Sequence, residues 1–265
     1  MKTEYSWKNF GVSLLQAAAY LAAYRMIQWV FAVMGGLLWR LMGMWGWIIP
    51  ISVFSRCTTL VAYAASLGVL WLWMRIRQRR VCEEVGIRPL AVTPMFAALM
   101  GGIGANIAVV CAFELIPFPE AWLTQYESAS AQAFADYSWL TVVCTVLVAP
   151  IMEEVLFRGL LYTRLRRGMP KWIAAVLSAL LFAAAHGNLL WGIYAFVVGL
   201  LFVWIFETTG SLKATILCHM GFNAVGQFSL AAFDPTMRAV TYMVGILLLG
   251  MAMVVLWLHK KASNT

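Results

Sequence analysis

Three short patterns in this chain of 265 residues set proton-handling side chains inside apolar sequence. The first runs Pro150-Ile151-Met152-Glu153-Glu154-Val155-Leu156-Phe157-Arg158, two carboxylates and a guanidinium within one hydrophobic segment. The second, Phe182-Ala183-Ala184-Ala185-His186, closes on a histidine; the third, His219-Met220-Gly221-Phe222-Asn223, opens on one. Glu154 and Arg158 are one helical turn apart and can pair along a face, while Glu153 points about 100° away and is free for another partner. His219 and Asn223 also share a face and can address one substrate group or one metal together. A carboxylate held in a low-dielectric cavity can act as base and then as acid, and paired donors lower the cost of a tetrahedral oxyanion. These residue types suit hydrolysis by an activated water. The third histidine, His259, stands beside Lys260 and Lys261 and reads as an interfacial residue without chemistry.

The elements that carry these residues must cross lipid. Hydrophobic residues make up 63% of the chain and charged residues 11%, against about 25% charged in a soluble domain. That composition excludes a soluble enzyme, a disordered chain and a disulfide scaffold. Apolar stretches at 57–74, 89–113, 137–163, 172–206, 214–233 and 239–259 predict an all-α polytopic transmembrane bundle. The run from 172 to 206 divides into two spans at Gly187 and Asn188, and one more span is expected before residue 56, giving about eight within a single membrane domain, 1–265. Small residues at Ala17 to Ala19 leave a signal peptide or an interfacial helix as the alternative for the N-terminus. The five cysteines lack a CxxC pair and read as small apolar packers.

An intramembrane charge costs about 2.5–3.5 kcal/mol on insertion scales, so Glu153, Glu154 and Arg158 are expected to face protein or water. Either they lock helix packing as an ion cluster or they serve a functional site, and two further intramembrane histidines favour the site. Counting about 1.5 Å per residue from the cytoplasmic end puts Glu153 and Asn223 at about 15 Å and His219 at about 9 Å. His186 comes out at about 22 Å, so it joins them only if its span is tilted or starts later.

The net charge of +8 is explained by orientation, with no need for nucleic acid. With eight spans, fourteen of the 19 Lys and Arg fall on one side, only Arg40, Arg56 and Arg238 on the other, and Arg25 and Arg158 within spans. The positive-inside rule then places both termini in the cytoplasm. Partners follow from this: the lipid bilayer and a peptide or protein substrate, with the oligomeric state open.

Together, Glu-Glu-x-x-x-Arg at 153–158, Phe-x-x-x-His at 182–186 and His-x-x-x-Asn at 219–223 resemble the CPBP family. That family takes in the type II CAAX prenyl endopeptidases, the bacterial Abi proteins and the bacteriocin-processing or immunity proteins. The resemblance covers about 138–229, and nothing in the first three spans adds to it. It implies an intramembrane endopeptidase in which Glu153 and His186 activate the hydrolytic water, His219 and Asn223 stabilise the oxyanion, and Glu154 and Arg158 support them. Glu153, His186 and His219 would also make an acceptable zinc set with an open position. The His-Glu-x-x-His signature is absent, so the expectation is a metal-free glutamate mechanism with no cofactor. Two other classes fit the same residues: a proton-coupled transporter, and a non-catalytic immunity protein that binds a peptide in the same cavity. The short, loop-poor build points to a bacterial cytoplasmic membrane and leaves the peptide substrate, and whether it must be prenylated, open.

Overall fold

A computed structural model describes residues 7–133, 138–228 and 233–263, and every regular element among them is helical. The N-terminal region forms one helix, α1 (Trp7–Met44), in which Arg25 and Arg40 are exposed on the helix side and Ala17–Ala19 lie in the uninterrupted interior. After α2 (Ile51–Ile76) the chain makes the short α3 (Val81–Val85) and then α4 (Val92–Leu115) and α5 (Glu120–Ala133). The motif region follows as α6 (Trp139–Gly168), α7 (Lys171–Ala184), α8 (Leu189–Thr209) and α9 (Leu212–Val225), and α10 (Pro235–Ser263) closes the bundle.

Six of these helices, α1, α2, α4, α6, α8 and α10, are long and apolar enough to cross a membrane. The other two expected spans are short: α7 and α9 have 14 residues each, about 21 Å at 1.5 Å per residue against a hydrocarbon core of about 30 Å. The count of eight is therefore replaced by six long helices and two short ones. The break after α7 falls at the expected turn. Gly187 takes φ +68°, and the Asn188 side chain caps α8 by accepting from the Trp191 N–H at 3.2 Å. The expected stretch 214–233 stops at Val225, and its residues 229–232 lie outside the described residues.

Backbone contact between α4 and α9 fixes where α9 sits. A Cβ on Gly102 would overlap the Cys218 carbonyl, and one on Gly221 would overlap the Leu99 carbonyl, so the two helices meet through bare backbone. Replacing Gly102 by alanine is expected to lower the thermal stability of the purified protein by about 1–3 kcal/mol, because backbone and not a flexible side chain must yield. Gly36→Ala, with open space around it, is the control and should leave the melting curve unchanged.

The start of α1 and the end of α10 lie at one end of the bundle. Gly168 at the end of α6 packs on Asn9 and Ser13 of α1, Lys171 Nζ lies 3.0 Å from Glu207 Oε2, and Lys260 Nζ donates to the Glu207 carbonyl at 3.3 Å. At the opposite end Arg238 meets Glu114 at 3.2 Å, tying α10 to α4.

The basic end is organised around one acid. Glu84 on α3 receives Arg79 at 3.1 Å, Arg167 at 3.5 Å and, closer still, Arg164. Burial by itself would raise the Glu84 carboxyl, but Arg164, with Arg79 and Arg167, outweighs it and holds the group below its ordinary range. A carboxylate lowered in the folded state stabilises the fold above its unfolded value, about 4.3, and that contribution is lost as pH falls through the lower folded value. Below about pH 4, hydrogen exchange in 79–86 should therefore accelerate, and Glu84→Gln should remove this acid dependence.

Candidate functional site

The site forms where α6 departs from regular α-helix. Val143–Val148 and Val155–Tyr162 are wound as wide π turns, with Ala149–Glu154 as an α-helical link between them. Pro150 accounts for one consequence of the first. The Ala149 N–H bonds to the Cys144 carbonyl five residues back, so in this register the Thr145 carbonyl would await the N–H of residue 150, which proline lacks. Asn223 on α9 fills the gap, its Nδ2 donating to the Thr145 carbonyl at 2.8 Å. Gln227, one turn further on, donates to Thr145 Oγ1 at 3.3 Å and to the Asn223 carbonyl at 3.2 Å. Nothing in the spacing of the sequence indicated that Asn223 and Gln227 would bind the backbone that Pro150 frees.

The expected pairing of Glu154 with Arg158 is present. Arg158 Nη1 donates to Glu154 Oε1 at 2.8 Å, both side chains are fully buried, and Arg158 Nη2 donates to the Gly199 carbonyl of α8 at 3.1 Å. The guanidinium lies in the angle between two aromatic rings, its carbon 4.3 Å from the centroid of Phe182 and 5.0 Å from that of Phe202. Gly199 and Phe202 carry no chemistry by type, and nothing in the sequence marked them.

His219 lies between the two glutamates. Its Nδ1 is 2.9 Å from Glu154 Oε1, and its Nε2 is 3.7 Å from Glu153 Oε2. Glu154 Oε1 already accepts from Arg158, so it takes a second hydrogen from Nδ1, and this network assigns the hydrogen to Nδ1 and leaves Nε2 toward Glu153. Glu153 Oε2 and His219 Nε2 are too far apart for a direct bond, and one water beside them can reach both. The Glu153 side chain is 24% exposed where that of Glu154 is 0%, so the adjacent carboxylates differ in access: one is locked, the other open.

His186 reaches the group through Phe182. Its Nδ1 is 2.8 Å from the Phe182 carbonyl, which can only accept, so its hydrogen is on Nδ1 as well. The Phe182 ring meets His186 edge-on at 4.8 Å between centroids and His219 at 5.8 Å. The residue expected to lie too far along its helix is thus joined to the others by a shared aromatic ring at the end of a short helix. The structure places His219, not His186, against Glu153, and it places Asn223 on the Thr145 carbonyl. Among the described residues no three His, Cys, Asp or Glu side chains come together in a way that could hold a metal ion.

A buried arginine–glutamate–histidine network opening onto one accessible carboxylate, inside a bundle of apolar helices, defines a membrane-embedded protein with a polar centre. Residues 135–225 match the family model described as Type II CAAX prenyl endopeptidase Rce1-like, which takes in every site residue named above except Gln227. The UPF0177 protein YbdI of Lactococcus lactis subsp. lactis (strain IL1403) is 30% identical over 129 residues, 47% of this chain and 68% of that protein. An uncharacterized 24.3 kDa protein of Escherichia coli is 36% identical over 109 residues, covering 38% of this chain and 50% of that one. No solved structure matches. The chain belongs to the Rce1-like, CPBP family, and its six long apolar helices make it an integral multi-pass membrane protein.

Proposed function

We propose that this protein is an intramembrane endopeptidase of the bacterial cytoplasmic membrane, hydrolysing a peptide bond in a membrane-presented peptide or protein. The observation that carries the reading is the asymmetry of the two glutamates, one locked against Arg158 and His219 and the other left open beside His219 Nε2. In this scheme Glu153 takes a proton from a water held between it and His219, the water attacks the scissile carbonyl, and Glu153 returns the proton to the leaving amine. Glu154 and Arg158 fix the ring orientation of His219. His186, whose hydrogen is held on Nδ1 by the Phe182 carbonyl, keeps Nε2 as an acceptor and is assigned with Glu153 to activating the water. Asn223 is assigned a positioning role through Thr145. The scheme moves the proton through Glu153 and water and calls on no resident metal. The basic end of the bundle faces the cytoplasm in this reading, with both termini there.

The test compares membrane peptides from cells carrying wild type and Glu153→Ala. A peptide that accumulates uncleaved only in the variant supports the proposal. Identical peptide profiles, with solute flux measured across vesicles of the purified protein, would assign the same residues to transport.

A further inference from the structure

Between α1 and α2, with α6 as its floor, lies a cavity of about 450 Å³ that neither the motifs nor the hydrolytic scheme uses. Its walls are apolar along most of their length, from Ala23 and Leu70 to Trp73 and Leu156, and its mouth lies at the basic end of the bundle. Arg77, Arg79, Arg164 and Arg167 line that mouth against a single carboxylate, Glu84. Arg164 is the telling residue. Its side chain is only 5% exposed, and although Nη2 meets Glu84, Nη1 is buried with no hydrogen-bond partner.

We propose that this cavity binds one anionic membrane lipid, with its phosphate on the arginine mouth and an acyl chain along the α1–α2 wall. Three features support a lipid occupant. Four guanidinium groups against one carboxylate leave the mouth strongly positive, and the unpartnered Arg164 Nη1 is a donor that a phosphate oxygen would satisfy. The cavity opens sideways: Val69 and Trp73 are 53% and 44% exposed on a helix that crosses the membrane, so an acyl chain can pass directly from bilayer to cavity. A peptide in the same place would bury backbone N–H and C=O groups against walls built from helices whose own backbone groups are already paired, whereas a hydrocarbon chain has no such groups to satisfy. The volume falls within the range of ligand pockets, about 300–1,000 Å³. Met152 and Val155 in the floor flank Glu153 and Glu154, so an occupied cavity would press on the helix that carries the open carboxylate.

The experiment is native mass spectrometry of the detergent-purified protein after exchange into phosphatidylglycerol or phosphatidylcholine of identical chains. Phosphatidylglycerol should be retained preferentially, and the exposed double variant Arg77→Gln/Arg167→Gln should lose that preference by at least about tenfold. Ala23→Phe narrows the wall without touching the charges and should abolish crosslinking from a photoreactive acyl chain to Leu70 and Trp73. Equal retention of the two lipids, or an unchanged preference in both variants, overturns the proposal. So does stabilisation by glycerol phosphate equal to that by the intact lipid, which would mean the phosphate alone is recognised, or displacement of the lipid by an acidic peptide at equimolar concentration. Glu153→Gln should bind lipid as wild type does, so the outcome stands apart from that of the hydrolysis assay.

Discussion

Replacing Glu153 with glutamine should reduce peptide cleavage by the purified protein in proteoliposomes by about a thousandfold or more, while leaving its folding intact. General acid–base catalysis accounts for about 10²–10⁴ in rate, and this carboxylate would serve at both proton transfers. The change is nearly isosteric at a side chain that is 24% exposed and 3.7 Å from its nearest ion partner, so little of the packing depends on its charge. Glu153→Asp retains the group on a shorter stem and should keep part of the activity, because a misplaced base is less damaging than a missing one. Excess chelator should leave the wild-type rate unchanged. A rate that disappears with chelator and returns with zinc would show that these donors rearrange around a metal, and full activity in Glu153→Gln would remove this residue from the mechanism.

The second large effect is structural. Arg158→Met should destabilise the protein by about 3–5 kcal/mol in a detergent unfolding assay, because it leaves Glu154 charged, fully buried and without the guanidinium. Removing both charges, in Glu154→Gln/Arg158→Met, should be considerably milder than the single change, since the remaining groups are neutral and methionine fills the space between Phe182 and Phe202. The double variant should nevertheless be poorly active. Glutamine at 154 can still accept from His219 Nδ1 through its amide oxygen, but a neutral acceptor holds the ring less firmly than a carboxylate. If the double variant is as unstable as Arg158→Met, the stacking of the guanidinium on the two rings, and not charge compensation, is what holds this region together.

The residue types at 153, 154 and 158 made their pairing legible, because a four-residue spacing within lipid leaves a carboxylate and a guanidinium few other low-energy choices. The turn at Gly187 and Asn188 was legible for a similarly local reason: a left-handed glycine followed by a capping side chain ends one helix and starts the next. The lengths of α7 and α9 were not. An apolar run supplies an upper bound on a span, and within a bundle a helix can stop part-way through the membrane where protein, not lipid, surrounds its end. The partners of Asn223 were hidden for a different reason. The need for its amide arises from the π register of α6, which no spacing in the sequence encodes.

By itself, then, the sequence determined the solvent this chain lives in, the helical class and the set of residues with chemistry, since all three follow from residue type and short-range spacing. The tertiary structure alone decided that His219 stands between the two glutamates, that Glu154 is closed and Glu153 open, and that a basic-mouthed cavity lies on the far side of the same helix. These depend on how α6 meets α1 and α2 on one side and α7, α8 and α9 on the other, with α9 seated on α4. That approach is set by small residues such as Gly102 and Gly221, whose importance lies in the absence of a side chain.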